Sequence, residues 1–387
     1  MKDTVDICEE LLIEIMKRLP VKYILRCRSV QKSWYRLLRS PYFISIHSRY
    51  QHSFNNHLLF HNRIKNYFSL RFDDKQCKEH YDLQFPKNLA ADIEGAVVAY
   101  ETCNGLICLS ATRKVKVYLW NPALRVVDVL PDPPVPSDDS LFTPITLSLA
   151  FGYLSKTNDY KVIKYETYFE GRSQFFVYVY SSSTDSWKTV LKGKAGEFAC
   201  NKLSNSVVVN GIAYWVANLY GLLSSQRVIV CFDMENDTIR EIMLPPPYSE
   251  KSLPPTGFDE PAKSDLLLEN SIFSELLSLF YFDRSTCVLH IWVLENAGAS
   301  NEVWTKKKSL NFERHWRPMC FRTNGEIVLR GCRKFLSGDL EKNEAKDIVD
   351  DDSLDAFNWE GDFINHPHQG INRFEESLVL LDVRRQA

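Results

Sequence analysis

In the segment His57-Leu58-Leu59-Phe60-His61 two histidines stand four residues apart, a spacing at which a helix turns both imidazoles to one side and can hold zinc. No glutamate follows His57 and no third ligand is evident, so the pair reads as the polar edge of an apolar segment. Ten cysteines (Cys8, Cys27, Cys77, Cys103, Cys108, Cys200, Cys231, Cys287, Cys320, Cys332) are scattered without a Cys-x-x-Cys pair. Several lie in apolar runs such as Val230-Cys231-Phe232, where buried free thiols are expected. From Ser337 to Asp362 ten acids face only Lys342 and Lys346, and Pro131–Pro144 and Pro245–Pro261 are proline-rich; all three stretches read as loops. Asp350-Asp351-Asp352 lacks the alternating ligands and central glycine of an EF-hand. The acidic stretch is then a solvated tether or a docking surface for a basic target, with Asp350, Asp351, Asp352 and Asp355 as candidate contacts. There is no Gly-x-Ser-x-Gly elbow, Walker loop, His-Glu-x-x-His or dinucleotide fingerprint. No cysteine has a clearly electropositive setting that would activate its thiolate. The residues point to binding rather than catalysis, with no resident metal or cofactor.

Charge is laid out unevenly along the 387 residues. Residues 1–14 carry −4; Ile15–Phe72 holds twelve Lys and Arg and no acid; the net of −2 leaves −10 for the remainder. A basic head on an acidic body should seek an acidic partner, protein or nucleic acid. The bases are dispersed around short helices, and neither zinc-finger spacing nor an RNA-binding signature appears, which opposes the nucleic-acid reading. With 45% hydrophobic and 13% aromatic residues the chain can fill a large core, and its length fits two or three domains. That composition excludes collagen-like, coiled-coil and mostly disordered chains. No apolar run approaches the roughly 18 residues of a membrane span, and Asp3 and Asp6 stand where a secretory leader would carry bases. A soluble protein of the cytosol or nucleus is expected.

The elements that position these residues change character along the chain. Ile7, Leu11, Ile15 and Leu19 recur every four residues, and Asp6, Glu9, Glu10 and Glu14 load the early turns with the charge that a helix dipole favours. Pro20 ends this helix. A second is expected over about Val21–Ser29 and a third over about Lys32–Leu38, with Pro41 as a stop. Ile24, Cys27, Val30, Trp34, Leu37 and Leu38 form the candidate inner face. The module is too small to bury much alone.

From about Gly95 the pattern becomes short β-branched and aromatic runs divided by turns, the mark of an all-β body. Asn104-Gly105-Leu106 returns at Asn210-Gly211-Ile212 and more faintly at Asn324-Gly325-Glu326, and Asn-Gly supplies the positive φ values of tight hairpins. A strand–polar turn–strand unit recurs at Val177–Leu191 and Val228–Leu244. Repeated four-stranded units predict a propeller of six or seven blades, with a β-sandwich as the competing architecture.

Residues 1–45 resemble an F-box. Leu11–Lys22 is similar to the family's first helix and its Leu-Pro-Val-Lys junction, Arg26-Cys27-Arg28-Ser29-Val30-Gln31-Lys32-Ser33-Trp34 to its central Arg-x-x-x-Val-x-Lys-x-Trp, and Leu37-Leu38 with Ser40–Phe43 to its tail. Ile7-Cys8 replaces the usual leading Leu-Pro, and Tyr23 a usual small hydroxyl residue. Residues 46–95 would be a linker and the first elements of the β domain. Residues 96–387 resemble the plant F-box-associated, kelch-like domain, through Asn104-Gly105-Leu106, Trp120-Asn121-Pro122-Ala123, Phe151-Gly152-Tyr153, Asp159-Tyr160-Lys161-Val162, Asp185-Ser186-Trp187-Lys188, Cys231-Phe232-Asp233-Met234 and Glu376–Leu380. Leu289–Leu294 is similar to a segment of pollen S-locus F-box proteins.

The resemblance implies an α+β chain: a three-helix F-box, then a degenerate kelch-like propeller. It implies a non-catalytic subunit that docks on the Skp-type adaptor of a cullin–RING ubiquitin ligase and holds a target there. In the S-locus branch that target is a non-self pistil ribonuclease of basic charge. The alternatives are a general plant receptor for another target and a scaffold acting without ligase assembly. Leu11, Ile15, Leu19, Pro20, Val21, Ile24 and Leu25 are the candidate adaptor contacts, some of which must instead pack among the helices. Trp34 belongs to the module's own core.

Overall fold

The computed structural model describes residues 7–379 apart from 55–56, 63–66, 75, 84–96, 112–115, 135–145, 169–173, 195–198, 201–205, 221–224, 247, 249–263, 271–275, 298–301, 313–315, 332–333, 343 and 351–370. Contacts divide the chain into two units, one of residues 1–74, 78–130 and 373–387 and the other of 75–77 and 131–372.

The first unit opens with Glu9–Met16 (α1), Val21–Cys27 (α2), Lys32–Leu37 (α3) and Pro41–Phe54 (α4). Three helices fall where periodicity and Pro20 place them. The fourth corrects the reading of Pro41 as a stop. A proline at the first helical position loses no hydrogen bond and has φ preset for the helix. Ser40 caps it, its Oγ accepting the Phe43 N–H at 3.1 Å, so Pro41 opens a 14-residue helix.

Strands also begin before Gly95. His57–Asn62 (β1), Tyr67–Phe72 (β2) and Glu79–Leu83 (β3) form one sheet, and Val97–Cys103 (β4), Leu106–Ala111 (β5), Val117–Asn121 (β6) and Val126–Val129 (β7) form the next. His57 and His61 therefore sit on a strand, where residues four apart are roughly 13 Å distant. Their rings pack on Phe72 and Phe68, with centroids at 5.1 and 4.2 Å. Among the described residues no group of three His, Cys, Asp or Glu could hold a metal.

The second unit continues the series. Thr146–Leu154 (β8), Asp159–Tyr168 (β9), Gln174–Ser181 (β10) and Ser186–Lys194 (β11) make the third sheet. Ala199–Cys200 (β12), Val207–Val209 (β13), Ile212–Tyr220 (β14), Ser225–Asp233 (β15) and Thr238–Met243 (β16) make the fourth, in which β12 and β13 both pair with β14. Ser264–Asn270 (β17), Leu277–Asp283 (β18), Val288–Glu295 (β19) and Val303–Asn311 (β20) form the fifth. Arg317–Phe321 (β21), Ile327–Arg330 (β22), Lys334–Asp339 (β23) and Glu344–Asp350 (β24) form the sixth. The last strand, Ile371–Phe374 (β25), returns to pair with β1 and gives the first sheet its fourth strand. The six sheets are the six blades of a β-propeller, which decides the blade number and removes the sandwich alternative. Residues 337–339 and 344–350 belong to β23 and β24, correcting the reading of those parts of the acidic stretch as a loop. Asp351, Asp352 and Asp355 lie outside the described residues, as do most of the two proline-rich stretches.

One turn design recurs and explains the polar repeats. Between paired residues Asn121 and Val126, Leu154 and Asp159, Ser181 and Ser186, Asp233 and Thr238, and Asp283 and Val288 lie four residues. The last of the four is left-handed each time: Arg125, Asn158, Asp185, Asp237 and Cys287 have φ of 48–57°. At three of these turns a side-chain oxygen before the loop, of Asn121, Asp233 or Asp283, accepts N–H groups that the turn strands. Asp233 Oδ1 takes those of Glu235 and Asn236 (2.8 and 3.0 Å), and Asp283 Oδ1 that of Ser285 (2.9 Å). Asn104-Gly105 and Asn210-Gly211 make the tighter two-residue hairpins that their φ values of 48–76° allow.

Central strands are buried on both faces, as in β5 and β18, and so read as unbroken apolar runs. Outermost strands such as β7, β16 and β20 are largely solvated. Neighbouring blades bury their faces against each other: third on fourth around Phe232, fourth on fifth around Leu279, fifth on sixth around Phe280 and Phe321. In the first unit the first two blades meet around Phe68 and Trp120. Four of the eight described cysteines, Cys77, Cys108, Cys231 and Cys320, are buried, whereas Cys8 is exposed. Burial pushes the Cys231 thiol up to about 12, so it is held protonated. Among the described residues no helix is long and apolar enough to cross a membrane.

Strand β9 carries a buried ion pair, Lys164 Nζ to Glu166 Oε1 at 2.7 Å, with both side chains 3% exposed. Removing one partner of such a pair costs about 3–5 kcal/mol, whereas replacing both with apolar groups is near neutral. Lys164→Met should therefore lower the denaturation midpoint well below that of the Lys164→Met/Glu166→Met double variant, as read by urea titration of the full chain.

Candidate functional site

Helix α1 sorts its apolar residues onto two sides. Leu12, Ile13 and Met16 are buried, whereas Leu11 and Ile15, one turn apart, are 53% and 44% exposed, and Ile7 just before the helix is 44% exposed. At 3.6 residues per turn Leu11 and Ile15 follow one outward line, with exposed Ile7 just ahead of it in the chain. Large apolar side chains aligned on an outer face make this side of α1 the candidate docking surface.

The seven expected contacts separate on the same principle. Leu11, Ile15 and Pro20 are exposed, and Leu19 and Leu25 are half-buried. Val21 and Ile24 are fully buried, and this corrects their reading as surface contacts. Pro20 starts α2, so the i,i+3 pair Val21 and Ile24 faces the interior with Leu38 and Phe43. Tyr23, two residues after Val21, points the opposite way and is 48% exposed, with the Arg26 guanidinium over its ring at 5.7 Å. Val30 is 62% exposed and leaves the expected inner face; Trp34 packs against the core as expected.

The bases divide into structural and available. Arg28 donates from Nη2 to the Leu38 carbonyl at 3.1 Å, and burial, then the charge of Arg39, pulls its pKa below the usual value. Lys17 and Arg18 both reach Glu14, at 2.6 and 3.8 Å. Lys22, Arg26, Lys32 and Arg36 remain exposed on α2 and α3, a positive surface beside the apolar stripe.

Helix α4 braces the junction between α1 and α2. His47 Nε2 meets the Leu19 carbonyl at 2.9 Å, and Gln51 Nε2 donates to the carbonyls of Lys17 (3.0 Å) and Leu19 (3.2 Å). Carbonyls of the turn that follows α1 are thereby satisfied. Pro20 is thus held at a defined place although its own side is exposed.

Other polar features of the β domain resolve into internal networks. A pocket of about 300 Å³ opens among the β8–β9, β10–β11 and β15–β16 turns, lined in part by Asp159, Lys161, Ser181 and Lys188. Asp159 accepts from Ser181 Oγ (2.6 Å), Ser182 Oγ (2.9 Å) and the Ser183 N–H (2.9 Å), while Lys161 and Lys188 share Asp237. These charges lock turns together. His290 and Trp292 flank Tyr248, which stacks on Tyr281 at 3.5 Å, so the Leu289–Leu294 motif anchors the segment after β16.

A model of the F-box associated beta propeller domain matches residues 55–352, and an F-box domain model matches residues 5–45. The chain belongs to the F-box-associated β-propeller family. An F-box/kelch-repeat protein of Arabidopsis thaliana is 24% identical over 241 residues, 60% of this chain and 64% of that protein. An Arabidopsis thaliana F-box protein is 27% identical over 398 residues, 88% of this chain and 87% of that protein. The chain thus spans just under two thirds of the first relative. The β-propeller domain of Nup133 from Vanderwaltozyma polyspora overlaps 71% of this chain and 79% of that domain, with a TM-score of 0.34 and 13% identity. In this F-box-associated propeller the F-box match ends within α4, at Ser45, so the bracing residues His47 and Gln51 lie beyond it.

Burial, the largest influence on His47, lowers its pKa. The unfolded chain then binds more protons than the folded one below the ordinary histidine value of about 6.5. Stability from neutral His47 is present above that value and lost as pH falls toward the lower folded pKa. The F-box helices should melt earlier at pH 5.5 than at pH 7.5, and His47→Gln should flatten this slope, as measured by helical circular dichroism.

Proposed function

We propose that this chain is the substrate-recognition subunit of an SCF-type cullin–RING ubiquitin ligase, acting in the cytosol or nucleus. The observation that carries the reading is the outward line of Leu11 and Ile15, with Ile7 just ahead of it, on a helical module whose core is filled by other residues. The exposed bases of α2 and α3 beside it suit an acidic Skp-type adaptor. Catalysis in this reading is proximity: the propeller holds a target so that its lysines meet the activated ubiquitin at high effective concentration. The chain itself supplies no reacting group.

Burying a leucine-sized side chain is worth about 1.5–3 kcal/mol, and a buried unpaired carboxylate costs more. Leu11→Glu/Ile15→Glu should weaken adaptor binding by at least about 100-fold while leaving the thermal midpoint nearly unchanged, read by titration calorimetry and melting of the full chain. Val21→Asp should lower the midpoint instead. Failure of the wild-type chain to co-purify with adaptor and cullin would favour a scaffold acting outside the ligase.

The finer assignment, a basic non-self ribonuclease in pollen, is supported by the likeness of Leu289–Leu294 to the S-locus branch. Charge complementarity adds a surface to test: Glu341, Glu344 and Asp347 are exposed on the β23–β24 hairpin. In this reading Glu344→Gln/Asp347→Asn, extended to Asp350–Asp352 and Asp355, reduces affinity for a basic ribonuclease several-fold at low salt and little at high salt. Unchanged affinity at low salt removes it, leaving a receptor for an unrelated target.

A further inference from the structure

Three sequence motifs far apart along the chain meet at one place in the first unit. After β25 the backbone passes over the two turns at one end of the second blade. At Gly105, where φ is +73°, a Cβ would fall 2.4 Å from Ser377 Cβ, 2.7 Å from its nitrogen and 2.8 Å from the Glu375 carbonyl. Only glycine lets the segment lie that close. Asn121 Nδ2 donates to the carbonyls of Ser377 (3.0 Å) and Val379 (2.9 Å), while its Oδ1 accepts the Leu124 N–H at 3.1 Å. One amide thus shapes the β6–β7 turn and ties down the passing chain. Thr102 Oγ1 donates to the Arg373 carbonyl at 2.6 Å, and the Tyr81 hydroxyl donates to the Glu376 carboxylate.

These ties deliver Leu378 into the F-box. It is 1% exposed and clusters with Leu12, Ile13, Met16, Val21, Ile24 and Phe43, with Ala123 and Leu124 of the β6–β7 turn packed beside it. The core beneath the α1 stripe is therefore completed by a residue more than three hundred positions later.

We propose that residues 375–379 are a clasp that closes the F-box core and holds its helices on the first two blades, so that the adaptor-binding face depends on an intact C-terminal segment. The dependence of adaptor binding rests on the function proposed above; the closing of the core does not. Segment 375–379 then acts as a positioning element, remote in sequence from the docking surface it supports.

The test uses the full chain carrying Asn121→Asp or Leu378→Asp. Asn121→Asp keeps the oxygen that caps Leu124 and removes both donations to the clasp. Hydrogen exchange without adaptor should accelerate at least about 10-fold in α1 and α2 for both variants, with β9, β15 and β18 unchanged. Affinity for the purified Skp-type adaptor should fall at least about 10-fold. Exchange of α1 and α2 within twofold of wild type overturns the clasp, and so does an acceleration spread equally over β9, β15 and β18. Should Leu378→Asp not fold, Leu378→Ala with Asn121→Asp carries the same comparison. Loss of exchange protection in α1 and α2, in a chain whose wild-type form never binds adaptor, supports the clasp and defeats only the ligase reading.

Discussion

A helical module of some 45 residues cannot bury enough apolar surface to hold itself together, and here the deficit is met from elsewhere in the chain. Leu378, Leu124 and Ala123 enter the cluster formed by α1, α2 and the start of α4. This frees Ile7, Leu11 and Ile15 to face outward, since the interior is filled without them. Large apolar side chains can stay on an outer face only on such terms: residues left to solvent cannot also be those that hold the helices. The same requirement explains α4, whose His47 and Gln51 satisfy carbonyls of the turn that follows α1, where Pro20 interrupts the ladder.

The propeller depends on a second local constraint. At five turns antiparallel strands of one blade reverse direction within four residues, and the last of those residues takes a left-handed conformation. Asn and Asp tolerate that conformation, and at three of these turns an Asp or Asn at the preceding strand end caps stranded N–H groups. The repeated polar turns are thus a mechanical device, found in the second to fifth blades. Between the turns, central strands are apolar on both faces because each blade is covered by its neighbours within a unit. Outermost strands keep charges, as β24 does with Glu344, Lys346 and Asp347, which blunt an open sheet edge. The acidity there follows in part from that duty.

How far the residues alone could be read varies with the range of the interaction. The α1 stripe, the break at Pro20 and the Asn-Gly hairpins at 104 and 210 all depend on neighbours a few positions away, and each is found where the pattern placed it. Pro41 misled because proline excludes a helix interior but favours a helix start, and only Ser40 beside it distinguishes the two. His57 and His61 suggested a helical pair; their strand register became clear only with β2 and β25 alongside. Val21 and Ile24 belonged to the same apolar run as Leu19 and Pro20, and nothing in that run says which side meets solvent.

The linear order of residues by itself determined a helical head, a β-built remainder, the turn chemistry between strands and the absence of a catalytic signature. Those follow from backbone preferences and periodicity, which act over one or two turns of chain. Tertiary structure alone decided which apolar residues of the head face outward, that the first blade takes its last strand from residues 371–374, and that Leu378 completes the F-box core. These rest on contacts between residues hundreds of positions apart, whose free energy comes from burial that no local pattern encodes.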